Sequence, residues 1–128
     1  MNERAEKLYN AAFKVIKPYE VSEHIFTGSV GAAVLTKEGN IYTGVCIDTS
    51  CSLGMCAERN ALSTMITKGE YEPVMVCAVF EDGKVMPPCG ACREFMMQLG
   101  EKAKDIEIII NNQGKILRLG ELMPEYQY

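Results

Sequence analysis

Apolar positions recur at helical spacing through the first residues of the chain. Leu8, Ala11, Ala12, Val15 and Ile16 fall on one face, which predicts an amphipathic helix over 2–16 that Pro18 ends. The pattern then changes. "SVGAAVLT" (29–36) and "IYTGVCI" (41–47) read as two strands joined by the turn "KEGN". Residues 48–54, "DTSCSLG", are too rich in Ser, Thr and Gly for a regular element. A helix is predicted from Met55 to Lys68, with Gly69 as its stop. "VMVCAVF" (74–80) is apolar at nearly every position, the mark of a strand covered on both faces. "PPCGACREFMMQLG" opens on prolines and turns helical near Gly90. "IEIIIN" reads as a further strand, "NNQGK" as a turn, and "ILRL" as an extension of the sheet. This order predicts an α/β fold: one domain over 1–128, an α-β-α sandwich around a central mixed sheet.

Composition narrows the functional classes. The chain has 128 residues, 48% of them hydrophobic, which is enough for a core of its own. Its formal net charge is −4 with no basic block, so a nucleic-acid partner is not expected. No apolar run is long enough to cross a membrane. The opening "MNERAEKLYN" is unlike a signal peptide, so a cytoplasmic location is expected. Six cysteines invite a disulfide framework, but that solution suits small secreted domains without a core. Reduced thiols and thiolate–metal bonds are the better expectation.

The chemistry concentrates in two stretches, "GMCAERNAL" (54–62) and "MPPCGACREF" (86–95). Cys89 and Cys92 form a C-x-x-C pair, whose spacing lets two sulfurs reach one ion from a single turn. Cys56 supplies a third sulfur from another element. Three protein ligands with a fourth position left to water is the pattern of a catalytic zinc site. Cys56 and the Cys89–Cys92 pair fall at predicted helix starts, where free N–H groups favour thiolate. Three thiolates around Zn²⁺ leave a net negative charge, which Arg59 or Arg93 is placed to offset. Glu58 lies two residues beyond Cys56, near the metal without ligating it, where a carboxylate can move protons. Cys77 reads as packing in its apolar strand, and Cys51 and His24 as loop residues. A structural zinc module would need a fourth ligand from Cys46 or Cys51. A thiol–disulfide protein would use "CGAC" but leave the C-x-E motif without a purpose.

"CAERNAL" followed by "PPCGACREF" resembles the zinc-dependent cytidine deaminase family, with "VGAAVLTKEGNIYTG" upstream and "GELMPEYQY" at the end. The resemblance implies a hydrolase that removes the 4-amino group of a cytosine nucleoside, one zinc per subunit, and a homotetramer with shared active-site walls. By analogy, the backbone around Ala57 and Pro87 contacts the base. The family's ribose-binding Asn and Glu are replaced here by Cys46 and Asp48. Ser29 in "SVGAAVL" and the tail aromatics Tyr126 and Tyr128 resemble blasticidin-S deaminase, a relative with the same zinc chemistry. In the family, tail aromatics can reach a neighbouring subunit's pocket, which makes Tyr126 a candidate substrate contact.

Overall fold

The computed structural model describes residues 1–128. Helix α1 spans Glu3–Lys14, strand β1 Tyr19–Glu20, β2 Ile25–Thr36 and β3 Ile41–Thr49. Helix α2 spans Ala57–Thr67, β4 Pro73–Phe80, α3 Gly90–Met97, β5 Glu107–Ile109 and β6 Ile116–Arg118. Short 3-10 turns at Glu101–Asp105 and Leu119–Leu122 flank the last two strands. The expected α-β-α sandwich is present. One six-stranded sheet runs β1-β2-β4-β5-β6, with β3 also paired to β2. The pairing of β4 with β5 is parallel and the rest are antiparallel, so the sheet is mixed.

Strand alternation divides the core in two. Ala32 and Val34 of β2, with Val76 and Ala78 of β4, pack beneath α2 and α3 around Leu62, Met65 and Met96. Ala33, Met75, Cys77 and Val79 face the other way, against Ala5, Leu8 and Ala12 of α1. This is why 74–80 reads as continuously apolar: both faces of β4 are covered, and only Val74 and Phe80 near its ends are half-buried. Glycines set the closeness of both layers. A Cβ on Gly31 would lie 2.1 Å from the Ala12 carbonyl oxygen, and one on Gly44 would lie 2.5 Å from the Ala61 nitrogen. Overpacking at such contacts costs about 1–3 kcal/mol.

Several boundaries differ from expectation. Helix α1 begins after Asn2, whose side chain accepts from the Ala5 N–H at 2.8 Å, and ends at Lys14. Val15 and Ile16 are left outside because the chain turns to the sheet, where the Lys17 N–H donates to the Gly28 carbonyl. Strand β2 begins at Ile25, four residues before the apolar run, because β1 and β3 pair with its first residues. Met55 is not helical: it bridges Ile47 through two backbone bonds of 2.9 Å, and Cys56 becomes the N-cap of α2. At the other end Gly69 stops α2 as expected. Its N–H donates to Ile66 and that of Glu70 to Met65, the Schellman arrangement, with Gly69 at φ +85°.

Just past that stop, the buried Glu70 carboxylate ties α2 to the β2–β3 hairpin. It accepts from the Tyr42 hydroxyl and from Asn40 Nδ2 (2.9 Å). The Thr36 and Tyr42 hydroxyls, with Asn40, hold its carboxyl below the usual range, against the opposing effect of burial. A depressed native value stabilises the fold above the unfolded carboxyl range, near pH 4.3, and that contribution is lost as pH falls through the native value. Glu70→Gln is therefore expected to lower the melting temperature by several degrees at neutral pH. The gap from wild type should narrow as pH falls below the unfolded carboxyl range and close once pH has passed the depressed native value, where both side chains are neutral; circular-dichroism melts across that range measure it.

Candidate metal centre and active site

Strands β3 and β4 are both antiparallel to β2, so they run in the same direction and end at the same edge of the sheet. Helices α2 and α3 follow those two ends and start side by side. Cys56 is the N-cap of α2 and Cys89 the N-cap of α3, each in extended backbone. Cys92 lies one turn into α3 and is fully buried. The three sulfurs lie within 4.8 Å of one another, and those of Cys56 and Cys89 are 3.4 Å apart. A tetrahedral ion with Zn–S bonds of about 2.3 Å would separate its sulfurs by about 3.8 Å. The set fits that ion by spacing and by donor type.

The electrostatics favour a cation here. Burial pushes the Cys56 thiol up, against the Arg59 guanidinium. Burial also pushes Cys92 up, reinforced by the charges of Glu58, Cys56 and Cys89. For Cys89, burial is outweighed by the backbone N–H groups of Cys92 and Ala91 and by the neighbouring thiols, so it titrates low. Three thiolates this close repel one another, and a divalent ion removes that penalty. Arg59 takes the offsetting position, with Nη2 3.7 Å from Cys56 Sγ. Arg93 does not reach the sulfurs. Its Nε donates to the Pro88 carbonyl at 2.7 Å and its Nη1 to the Leu122 carbonyl at 3.3 Å.

Glu58 is in the first turn of α2 and only 5% exposed. Burial raises its carboxyl above the ordinary range, against its own backbone N–H and Arg59. It opens onto a cavity of about 680 Å³ that Cys56 and Cys89 also line. Five residues expected at a substrate site line the same cavity: Ser29, Cys46, Asp48, Ala57 and Pro87. Cys46 is committed to the fold as well, because its Sγ accepts from the Val30 N–H at 3.3 Å beside the register break between Thr27 and Gly31. Cys51 lines the cavity mouth and is exposed, its thiol held low by the Thr49 hydroxyl and the Leu53 N–H.

Tyr126 does not line this cavity within its own chain. Its hydroxyl donates to Glu94 and accepts from Gln98 Nε2 at 2.7 Å, which pins the tail to α3. Phe80 and Met86, which sequence reasoning passed over, do line it. The only signal for Phe80 was its position at the carboxyl end of the apolar run. Cys77 is buried on the α1 side, with burial and then the Glu58 charge pushing its thiol up to about 12. His24 is exposed beside Glu23. Neither Cys46 nor Cys51 joins the cluster of three, so no fourth protein ligand closes it. A second cleft of about 690 Å³, between Glu70 and Lys102 away from the cysteines, has no thiol or imidazole in its lining.

Comparison with known proteins agrees with this geometry. The profile for the cytidine and deoxycytidylate deaminase zinc-binding region matches residues 2–107. A cytidine deaminase from Halalkalibacterium halodurans is 37% identical over 99 residues, covering 74% of each chain. A blasticidin-S deaminase from Bacillus cereus is 30% identical over 125 residues, covering 89% of this chain and 84% of that one. The crystal structure of cytidine deaminase from Mycobacterium tuberculosis superimposes with a TM-score of 0.81 at 25% identity, over 99% of both chains. With three thiols converging at two helix starts and a buried glutamate beside them, the chain belongs to the cytidine and deoxycytidylate deaminase family of zinc-binding proteins.

Proposed function

We propose that residues 1–128 form one deaminase-type zinc domain that hydrolyses cytidine or deoxycytidine to the uridine product and ammonia. One observation carries this reading: buried Glu58 and the Cys56–Cys89–Cys92 set open onto the same cavity. Cys56, Cys89 and Cys92 hold one zinc ion, which supplies the Lewis acidity that makes water nucleophilic near neutral pH. Arg59 offsets part of the thiolate charge.

Glu58 does the proton work. It takes one proton from the attacking water and delivers it to the ring nitrogen, which makes the amine-bearing carbon electrophilic. The water oxygen bonds to that carbon. Glu58 then carries the second water proton to the amine, the carbon–nitrogen bond breaks, and ammonia leaves. The ring keeps the first proton and a new carbonyl. A carboxyl raised by burial suits both halves of the cycle, since it must accept and release a proton near neutral pH.

The backbone at Ala57 and Pro87 holds the base, with Phe80 and Met86 as apolar walls. Ser29, Cys46 and Asp48 face the sugar. The enzyme acts as a homotetramer in the cytoplasm, in pyrimidine salvage, without nucleic-acid or membrane partners. A net charge of −4 supports the lack of a nucleic-acid partner. In the tetramer Tyr126 reaches a neighbouring subunit's pocket.

Ammonia release from cytidine, deoxycytidine, cytosine and blasticidin S, measured side by side, tests the substrate. Cytidine or deoxycytidine is expected to give the highest kcat/KM, and turnover of blasticidin S alone would reject the assignment. Glu58→Ala is expected to lower kcat by about 10²–10⁴-fold while elemental analysis still finds one zinc per chain. Cys89→Ala should lose both zinc and activity; a variant that kept its zinc would remove Cys89 from the ligand set.

A further inference from the structure

Arg93 is the second arginine beside the thiols, and the mechanism above gives it no task. Its guanidinium is instead spent on two backbone carbonyls far apart in sequence. Nε donates to Pro88 at 2.7 Å and Nη1 to Leu122 at 3.3 Å. The first of these carbonyls belongs to the residue just ahead of Cys89. The second lies in the 3-10 turn Leu119–Leu122, where the C-terminal segment begins.

The chemistry of the loop gives this contact weight. Pro87 and Pro88 have no N–H, so neither can anchor the loop by donating a backbone hydrogen bond. Met86 is the last residue before Cys89 whose N–H is bonded, to the Ala78 carbonyl at 2.9 Å. Between that bond and the start of α3, the Pro88 carbonyl is fixed only by Arg93. A planar fork can hold two carbonyls in one geometry, which a flexible ammonium cannot do. The C-terminal segment is in turn anchored to α3 and to the turn that follows it. Tyr126 bonds Glu94 and Gln98, the Tyr128 hydroxyl donates to the Gly100 carbonyl at 3.0 Å, and the two rings pack edge to face. Leu119 is fully buried behind them.

We propose that Arg93 is a positioning residue that couples the C-terminal segment to the metal loop, holding Pro88 and thereby Cys89 in the geometry that retains the ion. The proposal rests on the zinc reading above. Hydrogen bonds that orient metal ligands typically change metal affinity by 10–100-fold when removed.

The test is the rate at which the zinc-loaded protein loses its metal to an excess of a chromogenic chelator. Arg93→Met is expected to release zinc about tenfold faster than wild type or more, and Arg93→Lys to fall between them. A chain ending at Met123, which lacks the tyrosine anchors, should also release zinc faster. Combined with Arg93→Met, that truncation should add nothing, because both changes break one linkage. Leu8→Ala, in the α1 core away from the thiols, serves as the control for general loss of stability.

Wild-type release from Arg93→Met would overturn the proposal. So would release no faster than that of the Leu8→Ala control at a matched drop in melting temperature. Additive effects of truncation and substitution would overturn the coupling to the C-terminal segment. If Arg93→Met does not fold, Arg93→Lys decides, and a wild-type rate there is refuting. A wild-type protein that purifies without zinc and cannot be loaded would refute the metal reading itself, an outcome distinct from all of these.

Discussion

The site depends on strand direction. Because β3 and β4 both pair antiparallel with β2, the chain leaves each of them at the same edge of the sheet. The two helices that follow must start there, and their unpaired N–H groups and partial positive charge accumulate in one place. A thiol at each start, with one more a turn into α3, turns that place into an anion-stabilising trap for a cation. Neither strand carries a ligand itself. The sheet's contribution is to fix where two helices begin.

That arrangement makes the packing around the helix starts part of the chemistry. Gly44 lets α2 settle against β3 so closely that a Cβ would meet the Ala61 backbone, and the position of Cys56 follows from that approach. The Schellman stop at Gly69 and the Glu70 link to Asn40 and Tyr42 fix the far end of the same helix. Helix α2 is thus held at both ends, and Cys56 and Glu58, at its start, inherit the precision.

Legibility in the sequence followed the range of the interactions. The alternation that splits β4 between two cores is local, so 74–80 reads correctly as a doubly covered strand. The thiol set and Glu58 were readable because ligand spacing and helix starts are written in consecutive residues. Met55 was misread as helical because the bridge that holds it comes from Ile47, across a loop. Strand β1 is two exposed residues with no pattern of its own, and it exists only by pairing with Thr27 and Phe26. Phe80 and Met86 meet at the cavity from either side of a turn, and neither position says so alone. Arg93 looked like a partner for sulfur because sequence distance was the only measure of proximity; its real partners are the Pro88 and Leu122 carbonyls.

Glu58 shows how opposing local effects resolve into a usable group. Its place in the first turn of α2 and its neighbour Arg59 both favour the charged carboxylate. Burial at 5% exposure favours the neutral acid, and burial wins. Had the helix start won, the carboxylate would be a weaker base, less able to take the water proton in the proposed mechanism. The start of α2 restrains Glu58 through its backbone N–H and Arg59, while the start of α3 supplies the N–H groups that stabilise Cys89. In the proposed mechanism, proton transfer depends on the start of α2, and metal retention on the starts of α2 and α3 together.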